Sequence, residues 1–535
     1  MKYKSQTLKS INSRLFNSLV IVVLLVFASG SVYAADDKKT HNKAQQELNK
    51  GNFEQAEVLY QEILSKDGKD LKAHIGLGLV YLKKRNLSGA FEIGIKALEL
   101  DKKNARVRAI VGTALLRSGY IERAIEQLVY SLQLNQRDDL ALAASAEIDL
   151  YESRTSDAYG KLKLATDIRP SEGDYWLVLA RAASRQELFK EASEALRQFL
   201  QNSPKTDIDR RARIEGVIKF YTYLGNTHLY QIRGKSSSIP LDIKLRRPYL
   251  EVKVNGKETL KFVIDTGAGL CVISPEAAAK IGVKEIARGG EARAVGGDGA
   301  FQIIYGLIDE MQLGDIKVSL IPTYIRKVHT LSSSNPEVVA DGYLGLSLLG
   351  NFLMTMDYKA NQLQLVLPEE EKAKELVSNP PANSTVVPFR TTESGLISVE
   401  SKINDEVMLN FIFDSGATSS VISHDIVDTQ KWQDKILKDT VKVIGAAGST
   451  ENVQLMLGKV QIMDLIRENL RMPVLNLSRI NEQAGFEQQG ILGGDFLYHC
   501  RIQIDFRRLQ LTLTPTTTLI KRVGESVLPE QQEDK

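Results

Sequence analysis

One acidic turn occurs twice in this chain. FVIDTGAGLCVIS at residues 262–274 returns as FIFDSGATSSVIS at residues 411–423, with seven of thirteen positions identical and an Asp at the same place in each. The correspondence extends outward at an offset of 148–149 residues. Ile239-Pro240-Leu241 matches Val387-Pro388-Phe389, and Val254-Asn255-Gly256 matches Ile403-Asn404-Asp405. Val295-Gly296-Gly297-Asp298-Gly299 matches Ile444-Gly445-Ala446-Ala447-Gly448. Gly342-Tyr343-Leu344-Gly345 matches Gly490-Ile491-Leu492-Gly493, and Asp357-Tyr358 matches Asp505-Phe506. One unit is therefore built twice. Its short β-branched runs, broken by turn residues, predict strands, and Asn255-Gly256 predicts a type I′ hairpin turn.

A shorter period precedes this duplication. Ala56, Ala90, Ala124, Ala158 and Ala192 are spaced 34 residues apart. Gly78 and Gly112 recur in the same frame, and Ala146 and Ala180 continue the small-residue series. A small side chain at a fixed place lets neighbouring helices approach closely, and larger apolar residues such as Tyr81 and Trp176 fill the sides. This pattern resembles the tetratricopeptide repeat. Five repeats fit, at 37–70, 71–104, 105–138, 139–172 and 173–206. Ile214, Val217, Ile218 and Tyr221 follow helical spacing and predict a capping helix, which closes an all-α solenoid at 37–225. The resemblance implies a groove for a protein or peptide partner; a rigid spacer that binds nothing is the alternative.

The duplicated region, with two apolar residues before Asp-Thr/Ser-Gly-Ala, a Gly-rich hairpin and a later apolar-apolar-Gly, resembles the aspartic peptidase fold. The Ala after the Gly is more similar to the retropepsin branch than to the pepsin branch. A retropepsin-like barrel is expected at 237–368 and again at 383–515, joined by a linker at 369–382 and followed by a disordered tail at 516–535. The fold class expected is therefore multidomain: a helical solenoid, then two all-β acid-protease barrels pairing as a pseudo-dimer.

The chemistry implied by this resemblance explains the duplication. Hydrolysis of a peptide bond without metal or covalent nucleophile needs an activated water. Two carboxyls ~3 Å apart cannot both ionise, so they share one proton. The ionised member takes a proton from water and the protonated member donates one to the scissile carbonyl. Each copy offers one Asp, so Asp265 and Asp414 are the expected dyad. Thr266 and Ser415 would hydrogen-bond across the two turns, as in the family. Gly267 and Gly416 let the backbones approach, and Ala268 and Ala417 keep the space beside the carboxyls small. Gly296, Gly297 and Gly299, and Gly445 and Gly448, are expected at the tips of hairpins resembling the flaps that close over a bound peptide. No cofactor and no metal are expected, since the six histidines include no His-x-x-x-His pair. The pH optimum is expected to be milder than that of pepsin-like enzymes. Two alternatives remain: a catalytically silent peptide-binding scaffold, and a dyad formed between chains.

Targeting is also legible. Lys2, Lys4, Lys9 and Arg14 precede an apolar run at Leu19–Ala28, and Val32-Tyr33-Ala34 is a small-x-small cleavage site. Residues 1–34 are expected to be a signal peptide, which places the chain in the periplasm or otherwise outside the cytoplasm. An uncleaved anchor over Leu15–Ala34 is the alternative, and only that would bring in a membrane. The net charge of +3, less four signal cations, leaves 3 − 4 = −1, which predicts no nucleic-acid partner. The only cysteines, Cys271 and Cys500, fall in different copies and are expected as buried thiols.

Overall fold

The computed structural model describes residues 38–293, 300–328, 339–445 and 448–523. The signal segment, Gly296, Gly297 and Gly299 lie outside these residues. Two compact units divide the chain: residues up to 115 with 122–141, and residues 116–121 with 142 onward. Among the described residues no helix is long and apolar enough to cross a membrane.

The first unit is helical. Helix α1 covers 38–50, followed by α2 (Phe53–Lys66), α3 (Leu71–Lys83), α4 (Leu87–Leu100), most of α5 (Ala105–Arg117) and most of α6 (Ile121–Leu134). Side-chain caps start α3 and α4: Asp70 accepts from Ala73 N–H (2.8 Å), and Asn86 from Gly89 N–H (3.0 Å). Ala56, Ala90 and Ala124 have no exposed surface, and Leu59, Tyr60, Ile63, Leu77 and Val80 fill the core beside Ala56. The 34-residue period thus marks the points of helix contact in a tetratricopeptide-type array.

The second unit holds most of α7 (Asp139–Tyr151) and all of α8 (Thr155–Ile168), α9 (Gly173–Ser184), α10 (Phe189–Asn202) and α11 (Ile208–Leu224). Ala158 and Ala192 are again fully buried. Two like barrels follow. In the first copy the main strands are β1 (Gln231–Arg233), β2 (Ser236–Pro240), β3 (Asp242–Lys244), β4 (Arg247–Val254), β5 (Glu258–Ile264), β6 (Cys271–Ile273), β7 (Lys284–Arg293), β8 (Ala300–Leu313), β9 (Ile316–Ile325), β10 (Gly342–Leu344), β11 (Leu353–Asp357) and β12 (Gln362–Val366). The second copy repeats the plan with β13 (Thr385–Pro388), β14 (Arg390–Thr391), β15 (Ile397–Ile403), β16 (Val407–Phe413), β17 (Val421–Ser423), β18 (Ile436–Gly445), β19 (Gly448–Ile462), β20 (Leu465–Leu475), β21 (Gly490–Leu492), β22 (Cys500–Asp505), β23 (Gln510–Pro515) and β24 (Lys521–Arg522). Asn255 and Gly256 both have positive φ (52° and 64°), as do Asn404 and Asp405 (53° and 62°). That is the backbone a type I′ turn needs, and it sets the register of β4 on β5 and of β15 on β16.

The copies are joined by a six-stranded sheet ordered β13-β23-β22-β11-β12-β2. At its centre β11 pairs antiparallel with β22, Met354 opposite Ile504 and Met356 opposite Ile502. Three strands from each copy thus make one continuous sheet, which fixes the pseudo-dimer within a single chain. One hydrophobic core runs through both barrels, from Phe262 and Leu344 to Phe411 and Leu492, and includes the buried free thiols Cys271 and Cys500.

Two expected boundaries move. The linker at 369–382 contains a short helix, Glu371–Ser378, whose Ala373 packs against Leu353 and Val366. Its helix-forming residues and apolar Ala373, Leu376 and Val377 stripe bind it to the shared sheet. The tail does not begin at 516. Thr516 N–H donates to His499 O (2.9 Å), Ile520 is buried, and β24 pairs with β20 through Leu465–Arg522 and Ile466–Lys521. The expected capping helix is α11. It packs on β7, with the Phe220 ring stacked on Tyr305 at 5.0 Å.

Candidate active site

Strands β5 and β16 each run into an acidic turn. Asp265 N–H donates to Leu344 O (3.0 Å), and Asp414 N–H to Leu492 O (3.0 Å), so the strand beside each turn anchors it in the same way. The two turns then grip each other. Thr266 Oγ1 donates to Phe413 O (2.7 Å) and accepts from Ser415 N–H (2.9 Å). Ser415 Oγ donates to Ile264 O (2.8 Å) and accepts from Thr266 N–H (3.1 Å). Both hydroxyl residues are fully buried. These four bonds are reciprocal, and they satisfy two backbone N–H and two backbone C=O groups that would otherwise lie unpaired in the core.

The glycines after them are required by the approach of the carboxyls. A Cβ on Gly267 would stand 2.4 Å from Asp414 Cγ, and one on Gly416 would stand 2.5 Å from Asp265 Oδ1. Each carboxylate also receives N–H groups from its own turn: Gly267 N–H to Asp265 Oδ1 (2.9 Å), and Gly416 and Ala417 N–H to Asp414 Oδ1 (2.8 and 3.1 Å). Ala268 and Ala417 use their carbonyls to hold the start of the next helical turn, accepting from Leu346 and Gly494 N–H, each at 2.8 Å.

The structure therefore brings Asp265, Asp414 and their six supporting residues to one point, close enough that each carboxyl acts directly on the titration of the other. Burial, and then the charge of Asp265, push the Asp414 carboxyl up to about 7 against the pull of its backbone N–H donors. Burial also raises Asp265, but the Arg247 guanidinium, the Asp414 proton, the Gly267 N–H and Arg326 oppose the rise. The two titrate as one pair. Arg247 and Arg326 act on Asp265 and not on Asp414, which favours the charge on Asp265 and the proton on Asp414. Among the described residues no group of three His, Cys, Asp or Glu side chains is placed to hold a metal ion.

Each copy carries one long hairpin. In the first copy β7 pairs with β8 out to Arg293–Ala300, and the tip glycines follow beyond the described residues. In the second, β18 pairs with β19 to its end at Gly445–Gly448. The hairpins are held differently. On the first, α11 lies against Gly289 and Gly290, and Arg213 Nη1 donates to Glu291 O (3.2 Å). Arg185, just after α9, reaches the second copy instead, donating to Thr392 O (2.9 Å) and Glu393 O (3.2 Å), while Arg181 pairs with Glu393 at 2.6 Å.

Sequence reasoning missed Arg247, Arg326 and Tyr343 beside Asp265. The signal lay in the offset of 149 itself. Where the first copy has Arg247 and Arg326, the second has Leu396 and Leu475, a contrast that marks a difference between like positions.

Two stretches, residues 250–348 and 399–496, match the family described as aspartyl protease. No curated protein matches the chain. Among solved structures, the aspartic proteinase from Irpex lacteus is similar at 12% identity and a TM-score of 0.34, over 53% of this chain and 99% of its own. A thermophilic TPR protein of Thermus thermophilus is similar at 20% identity and a TM-score of 0.30, over 34% of this chain and 98% of its own. Pseudomonas aeruginosa PilF aligns at 20% identity and a TM-score of 0.27, over 35% of this chain and 84% of its own.

Proposed function

We propose that this chain, which carries two aspartyl protease domains, is an aspartic endopeptidase whose single active pair is Asp265 and Asp414. The observation that carries this reading is the pair of buried carboxyls brought together by the reciprocal Thr266–Ser415 network. A water between the carboxyls gives a proton to Asp265 as its oxygen attacks the scissile carbonyl carbon. Asp414 gives its proton to the carbonyl oxygen, so a neutral tetrahedral gem-diol forms. On collapse the C–N bond breaks, the leaving nitrogen takes the proton held by Asp265, and one diol proton returns to Asp414. The cycle restores one proton on the pair. Burial supports it by making each transfer occur away from bulk water.

We infer that the helical repeats recruit the protein substrate. Phe91 and Ile95 lie exposed on one helix of the first unit, where apolar side chains would otherwise be buried. Phe91→Glu with Ile95→Glu is expected to raise KM for a folded or extended protein substrate and leave a short peptide unaffected. We further propose that residues 1–34 direct export and are removed, which N-terminal sequencing of the protein from its native host would check.

The test of the catalytic reading is cleavage of a peptide library by the full chain across acid to neutral pH. Asp265→Asn and Asp414→Asn are run singly and mixed. Each alone should be inactive, and the mixture should stay inactive because one chain supplies both groups. Activity restored by mixing would place the pair between chains. A wild type that binds peptides and cuts none would make the protein a silent peptide-binding scaffold.

A further inference from the structure

The two halves of the cleft carry opposite chemistry at equivalent positions. In the first copy, Tyr249 of β4 and Tyr343 of β10 both stand opposite Val263, two residues before Asp265. Arg247 is two residues before Tyr249 in the same strand, hence on the same face. It is only 5% exposed, and its guanidinium lies 5.8 Å from the Tyr249 ring and 5.7 Å from the Tyr343 ring. Arg326 follows β9, where its N–H donates to Ile273 O (3.1 Å). Its guanidinium lies 5.8 Å from the Tyr343 ring and 5.0 Å from the ring of Phe301, on the strand that leads to the hairpin tip. Both cations act on Asp265, and Arg326 also reaches a strand of the first hairpin.

In the second copy the ladder registers identify the equivalents. Ser398 and Ile491 stand opposite Ile412, as Tyr249 and Tyr343 stand opposite Val263. Leu396 replaces Arg247, and Leu475, which pairs with Ser423 at the end of β20, replaces Arg326. Leu475 and Ile491 form an apolar cluster with Ile412, against which Leu396 and Ala417 pack.

The arginines have few and neutral hydrogen-bond partners: Arg247 Nη1 donates to Tyr249 Oη (3.5 Å) and Arg326 Nη1 to Lys327 O (3.2 Å). Arg247 Nε has no hydrogen-bond acceptor among the described residues, and the carboxylate whose charge acts on both arginines is that of Asp265. Most buried charges are paired or fully hydrogen-bonded. The nearest acid acting on both is Asp265, which they share. With one proton on the pair, two cations face one negative charge. Among the described residues the first half is thus one anion short, with the Tyr249 and Tyr343 rings beside its cations.

We propose that this half of the cleft recognises a carboxylate of the bound peptide, while the opposite half takes an aliphatic side chain, so that the scissile bond lies between an acidic residue and a Leu- or Ile-like one. The proposal rests on the peptidase reading for the word scissile but not for binding. A carboxylate beside a guanidinium makes charge-assisted, bidentate hydrogen bonds, and Tyr249 and Tyr343 hold the fork in place. The carboxylate can come from a Glu or Asp side chain or from a peptide C-terminus, and both present the same group.

The experiment uses the full chain and paired peptides that differ only as Glu or Gln at each position around an aliphatic residue, each made with a free and an amidated C-terminus. Cleavage is read with wild type, and binding by fluorescence anisotropy with Asp414→Asn, which keeps the charged Asp265. A Glu-over-Gln preference of about ten- to hundredfold is expected at one position, and it should fall towards one in Arg326→Gln. Arg326 is half-buried at a strand end, so this variant is expected to fold, and its melting temperature is measured alongside. Persistence of the preference in amidated peptides assigns the carboxylate to a side chain; its dependence on the free C-terminus assigns it to the terminus. Selective binding without cleavage would support the recognition and sink the peptidase reading. Cleavage or binding of Glu and Gln peptides at equal rates, with Arg326→Gln altering only the pH profile, would overturn the proposal and reduce the arginines to tuning Asp265.

Discussion

The two barrels agree where backbone meets backbone and disagree where a peptide would lie. The acidic turns are bound by the same four bonds in mirror fashion, Thr266 and Ser415 exchanging roles without change. Their flanks carry Arg247, Tyr249, Arg326 and Tyr343 on one side and Leu396, Ser398, Leu475 and Ile491 on the other. The first hairpin rests on α11; no α-helix packs on the second to a like extent among the described residues. In a homodimer every substitution appears twice about the symmetry axis. Two covalently joined copies escape that constraint. Symmetry is kept only where the dyad must close, and each flank is free to specialise.

The largest expected effect breaks the symmetry at the carboxyls. On the peptidase reading Asp265→Asn removes the base and Asp414→Asn the acid, and either should lower turnover by about 10²- to 10⁴-fold. Their pH behaviour follows from the raised Asp414 carboxyl. A folded pKa of about 7, above the ordinary 3.8, means that the folded state holds this proton more tightly than the unfolded chain. The stabilisation from that proton is complete below about pH 4 and is lost as pH rises through about 7. Turnover should fall over the same upper limb, since the acid is then deprotonated. Asp414→Asn cannot lose a proton there, so its melting temperature relative to wild type should rise between pH 5 and 8. A difference that stays constant with pH would show that Asp414 is not the proton holder.

The next effect tests the symmetric part. Thr266→Val removes one hydroxyl and leaves Phe413 O and Ser415 N–H unpaired; Ser415→Ala does the same to Ile264 O and Thr266 N–H. Each should cost about 2–4 kcal/mol in urea unfolding, as two buried groups lose partners. The two losses should agree to within about 1 kcal/mol if the halves carry equal shares. One variant at wild-type stability would mean that the grip is one-sided.

How much of this was legible in the sequence follows from the range of each interaction. The acidic turns, the Asn255-Gly256 turn and the five alanines are local patterns, and each occupies a few consecutive residues or a fixed period. The pairing of the two Asp residues was legible because the duplication itself supplied the partner. Arg247 and Arg326 were not, because they meet Tyr343 only after three strands fall into register. Gly216 and Gly289 each look like an ordinary loosely placed glycine. Their reason is that a Cβ on Gly216 would stand 2.2 Å from Gly289 Cα, a contact between segments 73 residues apart in number and in different folds. The ordered stretch 516–523 was missed for the same reason: its short, polar strand gains order only by pairing with β20.

That close approach makes the third prediction. Gly216→Ala should force α11 away from β7, at a cost of about 1–3 kcal/mol, and amides of β8 should exchange faster with solvent. Amides of β19 should be unaffected, because no α-helix holds that hairpin to a like extent among the described residues. In the wild type β19 is therefore expected to exchange faster than β8 near the hairpin ends. Equal protection would remove the mechanical difference between the hairpins and leave only the chemical one.

The smallest expected effect is also the sharpest test of the division of labour. Arg326 and Leu475 occupy equivalent places one residue beyond the last ladder pair and at its end, after Ile325 and Val474. Exchanging them, as Arg326→Leu with Leu475→Arg, keeps the count of cations in the cleft while moving one across the pseudo-two-fold axis. If charge position decides which flank of the bond takes the acidic residue, the preferred Glu should weaken by about tenfold at its original position and gain at the mirror position. The gain should be the lesser change, since Arg247 stays behind and no Tyr flanks position 475, where Ser398 and Ile491 stand instead. A loss at the first position with no gain at the second would mean that the aromatic frame, and not the cation alone, makes the site. No change at either would mean that Arg247 by itself carries the recognition.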